Sequence, residues 1–150
     1  MNANVIANVA LRLLVGAVFI WAAAVKTFHP HTGEPQPPTM YTRWVRAGSG
    51  ADAAISIAEM LLGMWIILGR FPRVAAVFCA AVLTFYTALL IMEMRRDVPL
   101  PCGCFWVIPG QPSPPQVRRQ LMLGIARNAL LIFSCAWIFF TASSRNRSAR

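Results

Sequence analysis

Residues 74–92 read VAAVFCAAVLTFYTALLIM, an unbroken apolar stretch that contains no charged side chain. A helix needs about 20 apolar residues to cross the ~30 Å hydrocarbon core of a bilayer, so this stretch is long enough. It lacks the alternation of polar and apolar residues that the strands of a membrane barrel show. Because a backbone in lipid must satisfy its own hydrogen bonds, the stretch is predicted to be a transmembrane helix.

Three further apolar stretches predict the same structure. They cover about residues 5–25, 51–69 and 120–141. Long proline-rich loops follow the first and third stretches, whereas only four residues separate the second from the third, which must therefore be antiparallel neighbours. We predict an all-α integral membrane protein, a four-transmembrane-helix antiparallel bundle, with residues 1–142 as a single membrane domain. Residues 143–150 are polar and basic and are predicted to be a disordered tail.

The composition supports a membrane protein and argues against a soluble one. Hydrophobic residues make up 57% of the chain and charged residues only 13%, where a soluble domain usually carries about 25%. The net charge of +9 comes mostly from arginines that lie between and after the apolar stretches. That placement is typical of side chains facing lipid headgroups, so no nucleic-acid partner is expected.

Two features of the chain bear on its topology. Within the first apolar stretch, Arg12, the apolar run 13–21 and the alanines at 22–24 also fit a cleavable signal peptide, which would leave three helices. With four helices, both termini and the 70–73 turn lie on one side (side A), and both long loops lie on the other (side B). Basic residues divide almost evenly between the sides, but their density in the turn and the tail favours a cytoplasmic side A.

A Cys-Gly-Cys sequence lies in the second long loop. Cys102 and Cys104 are separated by one glycine, which permits a sharp bend. A disulfide across one residue closes a small, strained ring, and strained disulfides exchange easily, as a redox shuttle requires. Two alternatives stay open, a reduced loop without chemistry and a metal site. For the metal site, His29 and His31 of the first loop would complete a four-ligand set for zinc or copper.

Charged side chains inside the apolar stretches indicate an intramembrane polar cluster. Glu59 and Arg127 lie at similar depths below side B, and an isolated charge there would cost several kcal/mol, so an ion pair is expected. Asn128 would add hydrogen bonds, and Lys26 would cover the cluster from the end of the first helix. The pair could simply fix helix register, or it could form a polar pocket beneath the Cys-Gly-Cys loop. Arg12 is expected to extend towards side A.

Two more cysteines and several glycines lie within the apolar stretches. Cys79 and Cys135 have similar depths near side A and could pair if they face each other. They are expected to act mainly as small buried hydrophobic residues. Gly16, Gly63 and Gly69 are expected to allow close helix packing.

Four segments of the sequence resemble the MauE branch of the DoxX-like membrane proteins. They are Gly16…Phe19…Lys26, Ala58-Glu59-Met60-Leu61-Leu62-Gly63, Pro101-Cys102-Gly103-Cys104-Phe105 and Arg127-Asn128. Trp106 departs from the pattern, because the family usually has glycine after Cys-Gly-Cys-Phe.

The resemblance implies a DoxX-like four-helix bundle in the bacterial inner membrane and a role in methylamine utilisation. MauE proteins are thought to help a disulfide-rich periplasmic client to mature, and the usual thioredoxin-like partner is a separate protein. By position, Cys102 and Cys104 would be the thiol pair. Lys26, Glu59 and Arg127 would be the intramembrane polar set.

The sequence therefore predicts a membrane-embedded thiol–disulfide redox component with its Cys-Gly-Cys loop in the periplasm. A membrane quinone near Glu59 and Arg127 would accept the electrons. The alternatives are a thiol-based metal carrier or sensor and a non-catalytic membrane assembly factor. Whether the chain is itself an oxidoreductase stays open.

Overall fold

The computed structural model of the chain describes residues 3–28, 39–40, 50–102 and 113–147. The described residues form helices connected by turns and irregular segments, without a strand. The helices are α1 (Ala3–Phe28), α2 (Gly50–Leu68), α3 (Pro72–Met94) and α4 (Pro114–Arg147). The predicted all-helical fold is confirmed.

Three of the helices, α1, α3 and α4, are longer than the apolar stretches that predicted them, whereas α2 has the predicted length of 19 residues. α4 begins six residues before the predicted start, at Pro114, because proline fits the first turn of a helix, where no backbone N–H is needed. It also continues to Arg147, past the predicted end at 141. The segments long and apolar enough to cross a membrane are Val5–Thr27, Pro72–Met94 and Pro114–Ala142, whereas α2 contributes a shorter apolar helix, Ala53–Leu68.

The outer surface of the four helices is apolar, as expected for contact with lipid. Large apolar side chains are exposed on all four helices, including Leu14, Leu61, Phe85 and Phe133, each of them more than half exposed. Contiguous apolar surface of this extent is rare on soluble proteins. The chain is therefore a multi-pass membrane protein in a lipid environment.

The helices pack most closely in two pairs, α1 with α2 and α3 with α4. In the first pair Gly16 and Gly63 face each other. A Cβ added at Gly63 would lie 2.8 Å from the Gly16 carbonyl oxygen, and one added at Gly16 would lie 2.7 Å from the Gly63 carbonyl oxygen. The two backbones thus touch at this crossing, as the small residues led us to expect.

The turn between α2 and α3 is held by a side chain of α1. Gly69 has a φ of 68°, and a Cβ there would overlap the Arg12 guanidinium. Arg12 donates from Nε to the Ile66 carbonyl oxygen (2.9 Å) and from Nη2 to the Ile67 carbonyl oxygen (2.7 Å). These carbonyls belong to the last turn of α2, where no further helical N–H follows. Arg12 thus caps α2, a role that the sequence did not predict.

Replacing Arg12 by methionine is expected to destabilise the bundle by about 1–3 kcal/mol, the cost of leaving buried hydrogen-bond groups unsatisfied. Arg12→Lys should recover only part of this, because an ammonium group cannot reproduce the planar geometry that reaches both carbonyls. Unfolding of purified protein in detergent, followed by circular dichroism, measures both. Equal stability of the methionine variant and the parent protein would contradict the capping role.

Candidate functional site

A buried ion pair joins α1 and α2 within the bundle. Lys26 Nζ lies 2.6 Å from Glu59 Oε1 and 2.7 Å from Oε2, and the two side chains are only 3% and 4% exposed. Tyr86 of α3 donates its hydroxyl proton to Glu59 Oε1. The Lys26 ammonium also lies 5.3 Å from the centroid of the Tyr86 ring, within cation–π range. One carboxylate is therefore bound from two neighbouring helices.

The ion-pair partner of Glu59 is Lys26, and the expected pairing with Arg127 was wrong. Arg127 instead donates to Asn128 Oδ1 from Nε (3.3 Å) and from Nη2 (3.1 Å). Asn128 Nδ2 in turn donates to Thr87 Oγ1 of α3 (3.2 Å). Depth along the helix predicted the wrong partner because depth does not give the direction of a side chain. The four-carbon stem of Lys26 reaches inward from the end of its helix.

The two polar groups border one cavity, which measures about 490 Å³ with its open mouth included. The wall is mainly apolar, and the polar groups converge on it from all four helices. The lining residues include Lys26, Met40, Glu59, Leu83, Tyr86, Cys102, Arg127 and Asn128.

The two long loops meet at the side-B end of this cavity. The Met40 backbone N–H donates to the Pro101 carbonyl oxygen (2.8 Å), and Thr39 and Met40 are both buried. Met40 and the half-buried Cys102 both border the cavity; Met40 belongs to a buried apolar cluster with Leu90 of α3, and Cys102 packs against that cluster. The contact therefore places the Cys102 side chain at the cavity that contains the Lys26–Glu59 ion pair.

A second buried carboxylate positions the segment that leads to Cys102. Glu93, at the end of α3, is 1% exposed. Its Oε1 accepts a hydrogen bond from the Leu100 backbone N–H (3.1 Å), and its Oε2 lies 3.2 Å from Arg96 Nε. Because Leu100 is only two residues before Cys102, Glu93 ties the start of the loop to the end of the helix.

Three predicted site residues lie outside the described part of the chain: Cys104, His29 and His31. The pairing of Cys102 with Cys104 therefore stays a prediction, as does the metal alternative that needs both histidines. Within the described ranges, no group of three or more histidine, cysteine and acidic side chains could hold a metal ion.

Three residues around the site are not predicted from the sequence: Tyr86, Thr87 and Glu93. Tyr86 and Thr87 lie in the third apolar stretch. That stretch contains no charged residue, so nothing in it predicted a contribution to the polar cluster. A tyrosine in the middle of a membrane span was nevertheless a signal, because a buried hydroxyl usually requires a hydrogen-bond partner. The apolar stretch ends at Met92, which would put Glu93 in the following loop, but Glu93 is in the last turn of α3.

The arrangement combines a thiol with several hydrogen-bond donors in an apolar, water-poor setting. Electrostatic interactions are stronger there than in water, so Lys26, Tyr86 and Arg127 can orient and stabilise the polar head of an apolar molecule. The polar groups come from separate helices, so the folded bundle holds them in place before any ligand arrives.

The family model described as methylamine utilisation protein MauE matches residues 4–141, nearly the whole chain and all four helices. No curated protein and no solved structure matches the chain.

Proposed function

The chain belongs to the MauE family of methylamine utilisation proteins, and from this we propose that it is a membrane-embedded thiol–disulfide component that helps a periplasmic client protein to acquire its disulfides. Family membership supports an accessory membrane protein of methylamine utilisation. The redox role is our extension, and it rests on the residues around the cavity.

One observation carries the proposal: Cys102 borders the cavity that also contains the buried Lys26–Glu59 ion pair. Burying charged side chains in a membrane protein is costly, and such residues usually mark a functional site. Here they lie beneath a thiol from a loop at the end of the bundle. This juxtaposition favours chemistry at Cys102 over a purely structural loop.

The proposed reaction transfers two electrons in each of two steps. In the first, a client thiolate attacks the Cys102–Cys104 disulfide, and a second client thiolate resolves the mixed disulfide. The client gains a disulfide, and Cys102 and Cys104 become a dithiol. In the second, the dithiol becomes a disulfide again when two electrons and two protons pass to a lipid-soluble quinone.

The cavity residues fit a quinone as the acceptor, which would supply two-electron, two-proton redox chemistry when bound. The apolar wall suits a hydrophobic ring and tail. Lys26, Tyr86 and Arg127 offer donors to carbonyl oxygens. Glu59 holds Lys26 and Tyr86 in position, and Asn128 does the same for Arg127.

The proposal includes a DoxX-like arrangement in which all four helices cross the inner membrane. α2 has 19 residues and is about 28 Å long at 1.5 Å per residue, close to the thickness of the hydrocarbon core. Both termini would then be cytoplasmic, and the Cys102 loop would face the periplasm, where disulfides persist and where a thioredoxin-like partner could reach it.

The test uses Cys102→Ser, Cys104→Ser and the double variant in cells that make a disulfide-dependent client. We expect each variant to lose client disulfide formation while the protein still accumulates in the membrane. Val98→Ala, an exposed change in the same segment, is the matched control. Client disulfides that form normally in the double variant would overturn the redox proposal.

A non-catalytic assembly factor is the second candidate, and the buried ion pair favours it, because such a pair can serve only to fix helix packing. That function requires the fold and not the thiols. Full client maturation in the double cysteine variant, together with its loss in Glu59→Leu, would select it.

A further inference from the structure

A series of hydrogen bonds joins α3 to α4 beside the cavity. Thr87 Oγ1 donates to the Leu83 carbonyl oxygen, one turn earlier in α3 (2.7 Å). Asn128 Nδ2 of α4 donates to Thr87 Oγ1 (3.2 Å). Asn128 Oδ1 accepts from Nε (3.3 Å) and Nη2 (3.1 Å) of Arg127. The series therefore runs from a guanidinium group at the cavity to a backbone carbonyl group of α3.

These hydrogen bonds can run in only one direction. A hydroxyl group has a single hydrogen atom, and Thr87 donates its own to Leu83, so its oxygen can only accept from Asn128. The amide must then turn its NH2 group to Thr87 and its carbonyl oxygen to the guanidinium. The opposite orientation would set N–H donors of Asn128 against N–H donors of Arg127. Because Asn128 is 2% exposed, its amide depends on these protein partners.

Two consecutive residues of α3 hold the polar groups of the cavity. Tyr86 donates to Glu59, the carboxylate that binds Lys26. Thr87 accepts from the amide that binds Arg127. Consecutive side chains on a helix point about 100° apart, so one turn of α3 reaches α2 on one side and α4 on the other. Lys26 and Arg127, two cations that line the cavity, are thus both held through hydroxyl groups of α3.

We propose that Thr87 is a positioning residue, which fixes the amide of Asn128 and, through it, the direction in which the Arg127 guanidinium faces the cavity. The guanidinium is planar, so two hydrogen bonds to one oxygen atom fix its plane as well as its place. A guanidinium held in this way can donate to an oxygen atom on the head group of an apolar molecule. That this molecule is a quinone rests on the proposed function.

The first measurement is the NMR signal of the Arg127 Nε–H group in the full-length protein in detergent micelles. The signal is assigned by its loss in Arg127→Lys. Thr87→Val, which is similar in shape but lacks the hydroxyl, should raise the hydrogen-exchange rate at Nε about tenfold, the factor that corresponds to a hydrogen bond of about 1.4 kcal/mol. Thr87→Ser keeps the hydroxyl and should keep the parental rate. Thr87→Ala replaces the valine variant if that variant does not fold.

Two further variants separate positioning from a general loss of packing. Thr84→Val removes the same kind of bond, from Thr84 Oγ1 to the Ala80 carbonyl oxygen (2.8 Å), at an exposed position of α3, and should leave the Arg127 signal unchanged. Thr87→Val/Asn128→Asp should restore the signal, because a carboxylate is held to the guanidinium by charge and needs no acceptor at Thr87. An unchanged exchange rate in Thr87→Val, or an equal increase in Thr84→Val, would overturn the proposal.

The second measurement is the affinity for decylubiquinone in the same micelles, by isothermal titration calorimetry. We expect the Kd to rise about tenfold in Thr87→Val, the cost of one misdirected hydrogen bond from a charged group. Thr87→Ser and Thr84→Val should keep the parental Kd. An unchanged Kd in Thr87→Val would overturn the role of Thr87 in ligand binding. If the parent protein does not bind the quinone, the acceptor in the proposed function is wrong, and the exchange rates still decide whether Thr87 positions Arg127.

Discussion

Replacing Lys26 by methionine is expected to lower the free energy of unfolding by about 3–5 kcal/mol, the usual cost of removing one partner of a buried ion pair. Methionine retains the length of the apolar stem, so packing changes little. What remains is the Glu59 carboxylate, 4% exposed, with Tyr86 as its donor but without its cation. Unfolding by sodium dodecyl sulfate from mild-detergent micelles, followed by circular dichroism, measures the difference.

A second substitution shows whether the loss of stability in Lys26→Met has an electrostatic cause. The double variant Lys26→Met/Glu59→Gln removes the stranded charge and should recover most of the stability, because a neutral amide is far cheaper to bury than a carboxylate. Arg118→Met, at an exposed arginine of α4, is the control and should behave like the parent protein. If the double variant is no more stable than Lys26→Met, the ion pair is not what holds these helices together.

Gly63→Ala is expected to destabilise the bundle by about 1–3 kcal/mol, the usual cost of forcing extra volume into a packed interface. The new Cβ would lie 2.8 Å from the Gly16 carbonyl oxygen and 3.1 Å from Phe19 Cβ. A backbone carbonyl cannot move aside without shifting α1 as a whole. The Lys26–Glu59 contact depends on the same pair of helices, so a shift of α1 should weaken it too.

The direction of the stability change at Gly63 distinguishes a packing clash from the general effect of alanine on a helix. In an unobstructed helix, alanine is better than glycine by up to about 1 kcal/mol. Gly50→Ala measures this effect of alanine without a clash, because nothing lies within 4 Å of the added Cβ. Stability measured in detergent should fall for Gly63→Ala and stay level or rise for Gly50→Ala. An increase in both would show that α1 and α2 separate readily in solution.

Hydropathy predicted the helices of this protein well, because a membrane span depends on length and apolarity, which the sequence shows directly. It could not predict how each helix is rotated. Glu59 and Arg127 were placed at similar depths, yet the partner of Glu59 comes from the end of α1. Tyr86 is in a stretch without charges, and only the packing of α3 against α2 brings its hydroxyl to the carboxylate.

The contact between the two long loops could not be predicted from the sequence either. The sequence placed Cys102 on the side of the bundle where the polar cluster is closest to the surface. That Met40 binds Pro101 and closes over the same cavity depends on a contact between two separate loops. No local pattern in a proline-rich segment encodes such a contact.

The Lys26–Glu59 ion pair joins two helices that are consecutive in the chain, and this matters for biogenesis. When α2 leaves the ribosome and the translocon, the cation that neutralises its mid-span carboxylate is already present on α1. Arg12 of α1 likewise meets the last carbonyls of α2. The first two helices can therefore partition into the bilayer as a unit whose central charge is compensated before α3 and α4 have been synthesised.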